Sequence, residues 1–273
     1  MANLLILFGR YFKIRHPRFL IAGLLFFSGT PITYPSEKPS HFHAVILAES
    51  GGIHQPFVNA AKLWLQKLAA DSSFSVEYIQ NTEKIDSAFL SNCQLFIQLD
   101  YPPYMWTRKA MSAFEEYINS GKSGGWIGFH HAGLLGEFDG YPIWQWFSDF
   151  MGGIKYSNYI EGFASGKVNV EDRFHPGMRS VPGVFEISKD EWYTWNKSPR
   201  AHVHVLASVD EASYNPPSEL KMGDHPVIWT NEHMKARNIY IFMGHDPGLF
   251  SNTAFTTIFR NSIFWASGKS NLP

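Results

Sequence analysis

The run Trp126-Ile127-Gly128-Phe129, followed by His130-His131-Ala132-Gly133, constrains this chain more than any other stretch. An apolar strand enters from the glycine-rich Ser123-Gly124-Gly125 and stops at two histidines and two small residues. Small residues at a strand end suit a sharp strand-to-helix turn, in which one side chain stands clear of the sheet. Hydrolases of the α/β type use such a turn to present a nucleophile as G-x-S-x-G. Here the central slot of Gly128-Phe129-His130-His131-Ala132 holds His130, with neither serine nor cysteine. Two readings follow. One is an imidazole placed where a nucleophile would sit. The other is an ordinary strand end with a hydrogen-bonded histidine. Other polar strand ends would favour the first.

Such ends exist. His43 to Ala48 is a buried-strand run that leads into Glu49-Ser50-Gly51-Gly52-Ile53-His54. Phe57, Ala61, Trp64, Leu65 and Leu68 then recur at helical spacing. Ser75 to Ile79 and Leu95 to Leu99 read as strands, the second ending at Asp100. Thr107 is an N-cap for a helix with Ala110, Phe114, Tyr117 and Ile118 on one face, closed by Gly121. Strands alternating with helices indicate βαβ units and a parallel sheet. Their right-handed crossovers put the loops that follow strands along one edge, where open α/β sheets bind ligands. His54, Asp100, His130 and His131 are expected to converge there.

Past Gly136 the pattern changes. Tyr141 to Phe150 is dense in aromatics and is expected to be helical. Val168 to Val170, Phe185 to Ile187 and Val203 to Leu206 read as strands of an antiparallel excursion. His202 and His204 share one face there, as solvated residues or as metal ligands. Pro226 to Thr230 and Ile239 to Met243 return to buried strands, the latter running into Gly244-His245-Asp246-Pro247. Asn252 caps a last helix with Phe255, Phe259, Ile263 and Ala266 on one face. One domain over 42–268 accounts for all of these.

Composition narrows the function classes. A formal net charge of -1 leaves no overall electrostatic footprint for nucleic acid or an anionic membrane. Cys93 is the only cysteine, so no internal disulfide forms, and its place before Leu95-Phe96-Ile97 suggests a buried thiol. Residues 1–30 are expected to be a signal peptide. Arg10, Lys13, Arg15 and Arg18 precede the apolar run Phe19 to Phe27 and the small residues after it. That run is short against the about 20 residues of a membrane span, which makes an uncleaved N-terminal anchor the alternative. Residues 31–41, with Pro35 and Pro39, read as a linker. The expected location is therefore exported, periplasmic or extracytoplasmic, with membrane attachment only through that segment.

The segments Gly121 to His130, His175-Pro176, Asp190-Glu191-Trp192-Tyr193, His225 to Trp229 and Gly244-His245-Asp246 resemble the trehalose-utilisation, or ThuA-like, family. The resemblance covers essentially Phe42 to Ser267. It implies a flavodoxin-like, class I glutamine amidotransferase-like three-layer sandwich, with a mainly parallel sheet and an antiparallel insertion. Amidotransferases carry a cysteine nucleophile at the sharp turn; the family carries histidine, as His130 is here, so amidotransferase activity is not expected. The resemblance also implies sugar metabolism, notably of disaccharides oxidised at the 3-position. One departure is Lys235-Ala236-Arg237-Asn238, where the family usually has a G-K-G-R turn.

If that fold holds, His54, His130, Glu191 and His245 meet as candidate catalytic residues. Asp100, His131, Asp190, Trp192 and Asp246 flank them as candidate substrate contacts. Three imidazoles and a carboxylate support acid–base chemistry. No cofactor is needed for it. They equally form a His₂Glu or His₃ metal set, His54, His130, His245 and Glu191 around a divalent ion such as zinc. His130 and His131, read as neighbours on a strand, point different ways and cannot easily share one ion. The expected partner is a small-molecule carbohydrate, bound by an enzyme of hydrolase or lyase type or by a non-catalytic binding protein. The sequence is compatible with a homo-oligomer.

Overall fold

The computed structural model describes residues 41–269. The expected signal segment and all of the linker except His41 lie outside the described residues. No helix among the described residues is long and apolar enough to cross a membrane.

The first half of the chain winds a parallel sheet. Strands β1 (His43–Ala48), β2 (Ser75–Ile79), β3 (Leu95–Leu99) and β4 (Gly125–Phe129) are joined by helices α1 (Gln55–Ser72), α2 (Ser87–Ser91) and α3 (Arg108–Ser120). Every residue of β3 and β4 is buried, and apart from Gln98, whose amide hydrogen-bonds Tyr101 and Trp126, neither strand carries a polar side chain. The caps are as the sequence suggests. Thr107 Oγ1 accepts from the Ala110 N–H, and Gly121 closes α3 at φ 61°.

The second half is mostly antiparallel. It comprises α4 (Gln145–Phe150), β5 (Tyr156–Tyr159), β6 (Ala164–Val170), β7 (Val184–Asp190), β8 (Tyr193–Trp195), β9 (His204–Asn215), β10 (Pro226–Thr230), β11 (Asn238–Ile241) and α5 (Thr253–Ala266). The large sheet has the order β2-β1-β3-β4-β11-β10-β9-β6-β7. Its strands are parallel from β2 through β11 and antiparallel beyond. β6 and β7 alternate buried and exposed residues along much of their length, as strands with one wet face do. β5 and β8 pair separately. Helix in the aromatic stretch is confined to α4; Tyr141 instead pairs with Phe138 in a β-bridge ahead of Pro142.

Trp126 and Phe129 lie three residues apart on β4 and so face opposite sides of the sheet. Trp126 packs against Phe114 of α3 and Phe147 and Phe150 of α4. Phe129 packs against Phe57 of α1 and Phe255 and Phe259 of α5. The molecule is thus a three-layer α/β sandwich. Its leading strand order 2-1-3-4 is the flavodoxin-like one, whose ligand crevice opens where the order reverses, between β1 and β3.

Candidate active site

Residues that follow the ends of β1, β3, β4, β7 and β11 meet at that crevice. β4 ends at His130, which adopts φ 41° and opens a 3-10 turn over His130–Gly133. This left-handed backbone in a non-glycine residue is the sharp turn expected from the sequence. Two buried phenols pin it: Tyr193 Oη and Tyr240 Oη both donate to the His130 carbonyl, the latter at 2.7 Å. The approach of β11's extension is equally tight. A Cβ on Gly244 would lie 2.6 Å from His130 Cβ and 2.9 Å from Asp100 Oδ1, so only glycine fits there.

His54 holds the N-cap position of α1, but its ring makes no cap hydrogen bond and turns into the cluster. Its centroid lies 4.0 Å from that of His131, 4.4 Å from His245 and 5.3 Å from His130. His54 Nδ1 is 2.9 Å from Glu49 Oε2, yet the pair is not aligned as a hydrogen bond. Both buried nitrogens of His54, and Nδ1 of His131, therefore lack a hydrogen-bond partner.

The His130 ring is better satisfied. Nδ1 is 3.1 Å from the Phe242 carbonyl and Nε2 is 3.2 Å from Glu191 Oε2. A carbonyl only accepts, so Nδ1 carries the hydrogen and Nε2 of the neutral ring presents a lone pair. Burial, followed by the His54 and His245 rings, holds His130 well below the usual imidazole range. Burial raises the Glu191 carboxyl, against the pull of His245 and His54. A lone pair and a carboxylate oxygen repel at this distance unless one cation lies between them, and a proton on Glu191 is the simplest. His131 and His245 are also lowered, first by burial and then by the neighbouring imidazoles.

The flanking carboxylates have different surroundings. Asp190 Oδ1 accepts from the Glu191 and His245 N–H groups, both at 3.0 Å, and Oδ2 from the Gly244 N–H at 3.1 Å. It ties the end of β7 to the extension of β11, and burial pushes it up to about 7. Asp246 caps the Pro247–Ser251 turn through the Gly248 N–H and pairs with Lys189 at 2.9 Å. Asp100, at φ 55°, has both carboxyl oxygens buried and unpartnered. Burial, then Glu49 and Asp190, raises it well above its ordinary value. Trp192 faces the core: it is fully buried, stacks on Phe242 at 5.5 Å and donates to the Ala164 carbonyl.

Outside the cluster, His175 Nδ1 accepts from the Gly177 N–H, His225 pairs with Glu211 at 2.9 Å, and His204 pairs with Asp172 and Glu232. Cys93 is buried, and burial raises its thiol to about 12.

The structure corrects one inference about the histidine pair. His130 and His131 lie in a 3-10 turn, where consecutive side chains need not take opposite faces, and their rings stack at 5.0 Å and 9°. One donor atom from each of His54, His130, His131 and Glu191 falls within 4.8 Å of the others, a set with His131 in the place expected for His245. Sequence reading did not single out Glu49, Tyr193, Tyr240 or Phe163. Glu49 is the one that carries a readable signal, a carboxylate directly after a buried strand as Asp100 is. Phe163, half-exposed, sets its ring 4.8 Å from that of His245.

A ThuA-like protein from Bacteroides uniformis is 28% identical, superposes with a TM-score of 0.74 and is matched over 87% of this chain and 95% of its own. A ThuA-like protein from Parabacteroides merdae, 19% identical with a TM-score of 0.61 over 86% and 93%, has the same fold. So does a cytoplasmic protein from Salmonella typhimurium, 10% identical with a TM-score of 0.53 over 82% and 99%. No match to a curated protein sequence was found. The model of the ThuA family, described as trehalose utilisation, matches residues 43–266. The chain belongs to the ThuA family.

Proposed function

We propose that this chain is an enzyme acting on a sugar or keto-sugar derived from a disaccharide, by histidine and glutamate acid–base chemistry. Family membership supports a carbohydrate-related role in general. The observation that carries the finer reading is the His130–Glu191 pair, whose tautomer is fixed by the Phe242 carbonyl. It holds one transferable proton at a partly open cleft: the His130 side chain is fully buried, whereas that of Glu191 is 19% exposed.

A ketone at C3 makes the C–H on C2, between it and the glycosidic carbon C1, acidic. His245, a neutral imidazole, removes that proton as general base. Glu191, protonated against His130, gives its proton to the departing oxygen. The C–H electron pair becomes the new double bond and the C–O bond breaks. This elimination differs from the two-carboxylate route of most glycosidases. His130 orients Glu191 in its protonated form.

The test is turnover of 3-keto-disaccharides by the purified chain, followed by product analysis. Glu191→Gln and His130→Ala are expected to lower kcat on the order of 10²–10⁴-fold, the usual contribution of a positioned proton carrier. Wild-type turnover in both variants, or sugar binding without conversion by the wild type, ends this reading.

A further inference from the structure

We propose that His54, His130, His131 and Glu191 form a binding site for one divalent first-row transition-metal ion, with Glu49 supporting the His54 and His131 rings from behind. The inference rests on the reading of this cleft as the reaction centre and names the cofactor that centre takes.

Three observations carry it. First, a single donor atom from each of the four residues lies within 4.8 Å of the other three. Tetrahedral zinc, with bonds of about 2.0–2.1 Å, needs donors about 3.4 Å apart. Inward shifts of roughly half an ångström to one ångström per side chain close that gap, well within rotamer adjustment. Second, several imidazole nitrogens of this cluster are orphans. His54 is 1% exposed with neither nitrogen hydrogen-bonded, and His131 Nδ1 is buried without a partner. An unpaired buried polar atom is costly, and several in one spot are hard to account for unless a ligand satisfies them. Third, the shell behind the donors is in place. The Phe242 carbonyl holds the Nδ1 hydrogen of His130, which directs the Nε2 lone pair at Glu191. That is how a metal-bound imidazole is oriented. Glu49 Oε2 stands 2.9 Å from His54 Nδ1 and 3.8 Å from His131 Nδ1.

Charge agrees with this. With the ion bound, Glu191 would act as a carboxylate ligand in place of the protonated form. Imidazole and carboxylate donors suit zinc and its neighbours rather than calcium or magnesium. The ion would take the position of the proton shared by His130 and Glu191, so in the metal-bound chain the departing oxygen takes its proton from solvent at the cleft rather than from Glu191, and His245 stays outside the donor set as the free base. A ketone oxygen entering as a fifth ligand would gain Lewis-acid stabilisation as the adjacent C–H bond breaks.

The test uses the full chain purified without a histidine tag. It is dialysed against ZnCl2 or CoCl2 and then against metal-free buffer, and its metal is measured by elemental analysis. One equivalent per chain is expected for the wild type, His245→Ala and the remote control His204→Ala. The Co(II) protein is expected to show the intense visible bands of a four- or five-coordinate nitrogen and oxygen site. His54→Ala and His131→Ala are expected to weaken binding by more than about 100-fold, the upper range for loss of an outer partner. Circular dichroism establishes that the variants fold; if one does not, the wild-type stoichiometry and the Co(II) spectrum decide alone. Wild-type protein that retains no metal overturns the site. So does wild-type affinity in the folded His54→Ala and His131→Ala variants. Metal bound without turnover of a keto-sugar refutes the proposed activity and leaves the site. Full turnover by chelator-stripped, metal-free protein refutes the ion as the cofactor of this centre and leaves the activity.

Discussion

His130 is bound from three sides: by phenols at its carbonyl, by the Phe242 carbonyl at Nδ1 and by Glu191 at Nε2. Removing one phenol leaves the other, so Tyr240→Phe is expected to lower stability by only about 0.5–1.5 kcal/mol. Adding Tyr193→Phe strands a buried carbonyl, and the double variant is expected to lose a further ~1–3 kcal/mol in urea unfolding, more than the first step. Equal, additive losses would mean that the carbonyl finds another donor. Gly244→Ala pushes a methyl group against His130 and Asp100. Overpacking of this kind costs about 1–3 kcal/mol, but the atom that must yield is the Cβ of the elbow residue. Its kcat is therefore expected to fall further than its melting temperature suggests. Phe163 offers a half-exposed face at the mouth, beside His245. Phe163→Ala is expected to raise KM for a sugar with kcat little changed; a fall in kcat alone would place the ring in the chemistry instead.

At the scale of elements, each candidate group leaves the end of a strand, and a short turn fixes its direction. The turn over Pro176–Met178 shows what such a turn demands. His175 caps it by accepting from the Gly177 N–H, and its ring packs 4.4 Å from that of Trp265 on α5. Burial lowers His175 from 6.5 to about 4. The native state favours the neutral ring, so this contribution is complete above pH 6.5, the ordinary value, and is lost as pH falls through about 4. Denaturant unfolding between pH 7 and pH 4 is expected to show this loss. In His175→Asn, which keeps a capping acceptor but no titrating ring, the slope over that window is expected to flatten.

For the molecule as a whole, the site depends on two layers of helix pressed on one sheet. Phe129, the residue before the elbow, is completely buried between α1 and α5. Phe129→Ala is expected to cost about 3–5 kcal/mol. At roughly 2–4 °C per kcal/mol for a domain of this size, the melting temperature should fall on the order of 10 °C, measured by calorimetry. The antiparallel half has its own part. By leading β7 back to the edge where β4 and β11 end, it delivers Glu191 to histidines of the parallel half.

The sequence alone determined the parallel half. Its inner strands β1, β3 and β4 are almost wholly buried and so leave nearly continuous apolar runs, helices carry caps at Thr107 and Asn252, and a right-handed crossover rule then puts His54, Asp100 and His130 on one edge. Period and capping are local properties, written in neighbouring residues. Tertiary structure alone decided the rest. Whether Asp190 faces a cleft or ties two chain segments depends on N–H groups from residues 244 and 245, which adjacency in the chain does not reveal. That Trp192 is core, that helix in the aromatic stretch shrinks to α4, and that His131 joins the donor set are likewise long-range outcomes. Two consecutive side chains diverge on a strand and converge in a 3-10 turn, and only the packing of Tyr193 and Tyr240 onto His130 settles which backbone is formed.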